Sequence, residues 1–210
     1  MNQPTKTMTV RVDTSEANGR ALLAPMGLAT PHSSLTGFAV QGAQPTTITE
    51  ATTGQTAALI PYEALAGCET ISFVYDYSAA PTLYPKTMFE PRDSKYTRAA
   101  RALIHEVQNL PRVAQGGLAA IEAIMEHTAH SFSYGHPDTR FNDGLDEVPH
   151  LGCGITQGSC VDINTYLIAA LRAAEIEAGY VTGGFFPAEK HGVCDDMHCW
   201  VVTRHNDKTL

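Results

Sequence analysis

Apolar and polar residues alternate along MTVRVDT, which places Met8, Val10 and Val12 on one side of an extended chain. In TISFVYDYSA the same period of two sets Ile71, Phe73, Tyr75 and Tyr77 on one face, with the β-branched and aromatic composition of a half-buried strand. SLTGFAVQG and AALIPYEAL are shorter runs of the same kind. Glycine and proline punctuate the intervals between them. Residues 1–90 therefore read as a β-rich, sandwich-like module.

The texture changes in YPKTMFEPRD, between Tyr84 and Asp93. Beyond it the apolar spacing becomes helical. SKYTRAARALIHEVQNLP puts Tyr96, Ala99, Ala100, Leu103, Ile104 and Val107 on one stripe, with Ser94 or Asp93 to cap the helix and Pro111 to close it. GGLAAIEAIMEHTAHSF repeats the pattern through Leu118, Ile121, Ile124, Met125, Thr128 and Phe132. A long polar loop leads to a third helix starting at or just after Cys160, with Ile163, Leu167, Ala170, Leu171 and Ala174 as its buried stripe. Two strands follow, in AGYVTGGFF and MHCWVVTR, and then a turn in HNDK that contains Asp207. Residues 91–210 are thus expected to form a second unit of helices and strands, making the whole chain α+β.

The chain has 210 residues, 43% of them hydrophobic and 17% charged, which suits a folded globular protein rather than a disordered one. Its formal net charge of −8 repels nucleic acid and anionic membranes, so neither is expected as a partner. No apolar run approaches the roughly 20 residues that span a bilayer. The opening MNQPTKTMTV lacks the basic and apolar regions of a secretory signal. Five cysteines, scattered at 68, 153, 160, 194 and 199, do not form a disulfide framework, and a reducing, cytoplasmic setting is expected.

Candidate chemistry centres on Cys160. A free thiol ionises near about 8.5, and the unpaired N–H groups and dipole of a helix N-terminus favour its thiolate. Cys160 follows Gln157, Gly158 and Ser159 at such a position. Gly158 is expected to let backbone and substrate approach closely, and a backbone N–H near Cys160 to bind a developing oxyanion, with the Gln157 amide as a second candidate donor. His198, 38 residues downstream, supplies a base on a strand where Trp200 and Val202 share its face while Cys199 and Val201 take the other. Trp200 reads as core or site wall. Asp162 suits a first-turn cap. Two plainer readings compete: a buried structural thiol, and a zinc site drawn from Cys153, Cys160, His191, Cys194, His198 and Cys199. The latter lacks the paired Cys-x-x-Cys spacing that marks zinc. A Cys153–Cys194 disulfide is opposed by the reducing setting.

The stretch GSCVDINTYLIAALRAAEIEAGYVTGGFF, followed by DMHCWVV, resembles the core of the transglutaminase-like superfamily of cysteine enzymes. Gly158, Cys160, Asp162, Leu171, Arg172, Ala173, Ile176, Ala178, Gly183, His198 and Trp200 carry the likeness, and the upstream HSFSYG resembles the segment that precedes the site in bacterial members. The resemblance covers roughly residues 96–204. It implies a papain-like core of helices packed on an antiparallel sheet, after a β-rich module, with Cys160 as nucleophile and His198 as base. It also implies chemistry that needs no cofactor, on a peptide or protein amide. Hydrolysis is favoured over amine transfer because no calcium-binding loop is present. Transglutamination and a non-catalytic binding role are the alternatives. The family places an Asp or Asn on the strand after the histidine strand. Asp207 falls earlier, in the turn, and is the candidate for a third catalytic member.

Overall fold

The alternating stretches near the N-terminus become strands in a computed structural model that describes residues 5–79, 82–90, 94–194 and 196–210. The chain divides into two compact units, Met1–Thr87 and Met88–Leu210. In the first, β1 (Lys6–Asp13), β2 (Leu22–Pro25), β3 (Ser34–Gln41), β4 (Thr46–Thr49), β5 (Thr56–Ile60) and β6 (Thr70–Ser78) pair as two three-stranded sheets, ordered β1-β6-β3 and β2-β5-β4. Every pairing among them is antiparallel. Ile71, Phe73 and Tyr75 of β6 share one buried cluster with Ala24 of β2 and Ile60 of β5, and Met8, Val10 and Val12 pack against it. Both sheets therefore turn apolar faces to one core, as the alternation requires. The sequence reading misses β2 and β4. Every residue of β4 is exposed, so no apolar period marks it.

The second unit opens with α1 (Arg101–Asn109) and α2 (Gly117–Ser131), then β7 (Phe132–Tyr134) and β8 (Thr156–Gly158), a short parallel pair. After them come α3 (Cys160–Ala173), β9 (Ala178–Gly184), β10 (Met197–His205) and β11 (Lys208–Thr209), the strands forming an antiparallel sheet ordered β11-β10-β9. Leu103, Val107, Ile121, Ile124, Phe132, Val148, Tyr166, Ile168 and Leu171 make the core. Helix α3 lies at its centre. Its buried surface spans Tyr166, Ile168, Ala169, Ala170 and Leu171, wider than the single stripe expected from Ile163 and Leu167.

Two expectations are corrected. Helix α1 starts at Arg101, not near Ser94. The Ala100 N–H donates to Val148 O at 2.9 Å and the Val148 N–H to Arg98 O at 2.7 Å, so a bridge to the long loop holds this backbone extended. Tyr96 is consequently exposed. Asp93, the other expected cap, lies outside the described residues. In α2, Leu118 and Met125 are also exposed, while Ala120 and Ala123 join Ile121 and Ile124 inside.

Two anchors set the direction of α3. At its C-terminal end Arg172 donates from Nε and Nη2 to Ala178 O, at 3.1 and 2.9 Å, tying the helix to the start of β9. Glu175 makes the intervening turn at φ +59°, a left-handed conformation that favours glycine. Among the described residues, no helix is long and apolar enough to cross a membrane.

The buried core predicts one mutational outcome. Ile124 is fully buried. Ile124→Ala removes three carbons with little room for collapse and lowers stability by about 2–5 kcal/mol. The measurement is a fall in denaturant midpoint at an unchanged slope.

Candidate active site

Helix α3 begins where the sequence pattern places it, with Ser159 as N-cap and Cys160 as its first residue. The Asp162 carboxylate explains why it begins there. Its Oδ2 accepts from the Ser159 N–H at 2.8 Å and from Ser159 Oγ at 2.6 Å, closing a capping box over the first turn. Its Oδ1 accepts from Arg140 Nε at 2.7 Å, across from the long loop. Asp162 is only 1% exposed. Burial pushes its pKa up, yet the hydrogen bonds from Arg140 and Ser159 outweigh burial and hold it below the ordinary aspartate value.

The close approach expected at Gly158 is made here by protein neighbours. It is buried, and a Cβ there would lie 2.9 Å from both Phe132 Cδ1 and Asp162 Cβ. Only glycine lets β8 pass between the β7 aromatic and the first turn of α3. Gln157 is exposed, its side chain lying over Gly135, and it makes no hydrogen bond among the described residues.

From this tip the Cys160 sulfur meets β10. The backbone N–H groups of Cys199 and Val161 stabilise its anion, while the Cys199 thiol is its side-chain neighbour. Asn164, one helical turn on, fastens the two elements. Its Nδ2 donates to Cys160 O at 2.9 Å, to Cys199 O at 3.1 Å and to Cys199 Sγ at 3.4 Å. Tyr180 of β9 completes the cluster. Burial and the contact with Cys199 push its hydroxyl well above the usual tyrosine range.

The net direction at Cys160 reverses the expectation of a lowered value. Burial raises its pKa and the neighbouring Cys199 thiol raises it further, and together they outweigh the two backbone N–H groups.

Strand parity holds, with His198 and Cys199 on opposite faces, but the face expected to bring the imidazole to the sulfur carries Cys199 instead. On β10, Cys199 is buried and faces α3, while His198 lies on the opposite face with Trp200. The His198 ring packs 5.5 Å from Phe185 and 5.3 Å from Trp200, centroid to centroid. Among the described residues the His198 ring makes no hydrogen bond, neither to Cys160 nor to a carboxylate. Its backbone nevertheless adjoins the sulfur, because the Cys199 N–H that serves Cys160 belongs to the peptide unit starting at His198.

Asp207 is not a partner for this histidine. Asn206 and Asp207, at φ +50° and +59°, form the two-residue turn between β10 and β11. The seven residue steps from His198 to His205 span about 23 Å of strand before that turn is reached. The residues proposed for zinc are likewise not gathered: among the described residues, no group of three or more His, Cys, Asp or Glu is arranged to hold a metal ion. Cys153 is exposed, and Cys194 donates locally to Asp196 O at 3.0 Å.

Sequence reasoning did not single out Asn164, Tyr180 or Arg140. Asn164 carried a signal, since it lies one turn beyond Cys160 on the same helix face. Tyr180 and Arg140 arrive through long-range packing, which has no local signature.

Two predictions follow from this geometry. Asp162→Asn weakens the cap and the Arg140 pair, lowering stability at neutral pH by about 2–3 kcal/mol. Because the folded carboxyl titrates below its unfolded value, its contribution is complete above about pH 3.9 and fades as pH falls through the lower folded value. Stability curves of the two proteins should therefore converge in acid and separate above it. Cys199→Ala removes the thiol that pushes Cys160 upward, so the midpoint of the pH profile for Cys160 alkylation should move to lower pH, measured by iodoacetamide labelling and peptide mass spectrometry.

Comparison with known proteins agrees with this architecture. Residues 101–208, just over half of the chain, match the profile of the transglutaminase-like superfamily. Among curated proteins none matches the chain. A solved structure from Cytophaga hutchinsonii, named as a candidate cysteine protease, aligns over 90% of this chain and 68% of its own at a TM-score of 0.54 and 12% identity. The periplasmic domain of TgpA from Pseudomonas aeruginosa, bound to ethylmercury, aligns over 99% of this chain and 70% of its own at a TM-score of 0.44 and 19% identity. With a helix-tip cysteine set against a histidine strand, and a profile match over both, the chain belongs to the transglutaminase-like superfamily.

Proposed function

We propose that the protein is a cysteine-dependent acyl-transfer enzyme that hydrolyses peptide or protein amides, with Cys160 as nucleophile and His198 as general base and acid. One observation carries the reading: the thiol stands on the first turn of α3 against the β10 peptide that begins at His198. The reading requires the imidazole to leave Phe185 and Trp200 and come round the strand edge to the sulfur. Catalytic hydrogen bonds of this kind commonly tighten only when substrate binds.

In the reaction, His198 takes the thiol proton as sulfur attacks the amide carbonyl. The developing oxyanion lies at the tip of α3, where first-turn N–H groups lack helical partners. The imidazolium then returns its proton to the leaving amine, and a thioester remains on Cys160. Water, deprotonated by His198, releases the acid and restores the thiol. An amine in place of water would give transglutamination. Hydrolysis is preferred because no feature of the site marks an amine subsite. Trp200 walls the histidine, and an exposed Gln157 is free to turn its amide toward substrate. The cytoplasmic setting inferred from cysteine usage belongs to the same reading.

The test combines activity with thiol reactivity. Against a panel of fluorogenic peptide amides, Cys160→Ala and His198→Ala should each lose activity by on the order of 10³-fold or more. His198→Ala should also slow alkylation of Cys160 by a peptidyl chloromethyl ketone, which occupies the substrate site, by about tenfold near neutral pH, since the base that generates thiolate is gone. Unchanged alkylation would show that the imidazole never reaches the sulfur. Incorporation of a fluorescent primary amine, rather than release of acid, would move the assignment to transglutamination.

A further inference from the structure

The Cys160 thiol is paired with a second thiol that the acyl-transfer chemistry does not use. Cys199 is 3% exposed and turns its side chain toward α3, against Cys160. Asn164 holds the two residues together by bonding the Cys160 carbonyl and both the carbonyl and the sulfur of Cys199. Cys160 itself is partly open, so a small oxidant meets it first. The other three cysteines are placed differently. Cys68 belongs to the first unit and donates to Gly42 O, Cys153 is exposed on the long loop, and Cys194 donates to Asp196 O.

We propose that Cys199 is a resolving cysteine, forming a reversible disulfide with Cys160 when a peroxide oxidises the site. Its consequence for activity rests on the reading of Cys160 as nucleophile. In the first step Cys160 gives up its proton to solvent, and the minor thiolate fraction so formed attacks one peroxide oxygen. The O–O bond breaks, hydroxide leaves, and a sulfenic acid forms on Cys160. In the second step the Cys199 sulfur attacks the Cys160 sulfur. The S–S bond forms, the S–O bond breaks, and the departing hydroxide takes the Cys199 proton as water. Two thiols lose two electrons and the peroxide gains them. An added dithiol reverses the bond by exchange.

The arrangement has a protective logic. A sulfenic acid left alone proceeds to the irreversible sulfinic acid, whereas a neighbouring thiol captures it first. The bond also removes the nucleophile and pins the tip of α3 to β10. A buried resolving thiol is shielded from direct oxidation, so the pair responds only through Cys160.

The experiment treats the full chain with hydrogen peroxide, traps remaining thiols with iodoacetamide under denaturing conditions, and maps cross-linked peptides by mass spectrometry. The expected result is a Cys160–Cys199 linkage. Labelling of Cys160 should fall by about tenfold and be restored by dithiothreitol. In Cys199→Ala the same treatment should carry Cys160 to sulfinic acid, and dithiothreitol should not restore its labelling. Sulfinic acid on Cys160 of the unaltered protein, with Cys199 still alkylatable, overturns the proposal. So does a linkage from Cys160 to Cys153 or Cys194. Because the readout is thiol chemistry, it separates the two readings. A Cys160–Cys199 bond in a protein that cleaves no amide keeps this inference and removes the enzymatic one, while amide cleavage without the bond does the reverse.

Discussion

The second unit depends on a buried carboxylate. Asp162 decides that α3 begins at Cys160, because its two oxygens are committed to the Ser159 cap and to Arg140. A carboxylate at 1% exposure would be costly without such partners. With them, the first turn has one available geometry. The sulfur inherits its position from that geometry, and so does its distance from β10. The carboxylate thus shapes the site without touching the reacting atoms, as a positioning residue. Arg140 extends the constraint to the long loop, which is fixed independently by the Val148 bridge ahead of α1.

The rest of α3 makes the position stiff. Tyr166, Ile168, Ala169, Ala170 and Leu171 are buried in the core, so the helix cannot shift along its axis without disturbing several neighbours. Arg172 holds the far end to β9. A helix fixed at both ends and packed along its length is a rigid mount for Cys160, and on the proposed reading precise placement is worth more to acyl transfer than flexibility.

Much of this was legible in the chain. The alternation in β1 and β6, the start of α3 at Cys160, the opposite faces of His198 and Cys199, and the turn at Asp207 all follow from local periodicity and turn chemistry. What was not legible depends on residues far apart. The late start of α1 comes from Val148, almost fifty positions away, taking backbone bonds that a helix would have used. The Arg140–Asp162 pair is of the same kind. Gly158 was legible as a close approach, but pattern alone does not say that Phe132 and Asp162 are the groups that come near. The pKa of Cys160 was misjudged for a related reason. Helix-tip donors are visible in a sequence, but the burial and the second thiol that outweigh them are not.

Strand parity ties these points to mechanism. His198 and Cys199 are consecutive on β10, so their side chains cannot both face α3. In the resting fold the inward place is taken by the thiol, and the imidazole is parked on Phe185 and Trp200. Burial, and after it the Cys199 thiol, pushes the Cys160 thiol up, and no base is hydrogen-bonded to it among the described residues. On the proposed reading, this separates storage from use: the sulfur is quiet until something displaces the imidazole from its aromatic shelf and draws it round the strand edge. Substrate is suited to do so, because a chain laid over Trp200 and Phe185 competes for the same surfaces. The cost of moving one ring from an aromatic contact is about 1 kcal/mol, small beside the binding energy of a peptide segment. The same parity explains why the inward thiol, and not the histidine, is the group poised to react with an oxidised Cys160.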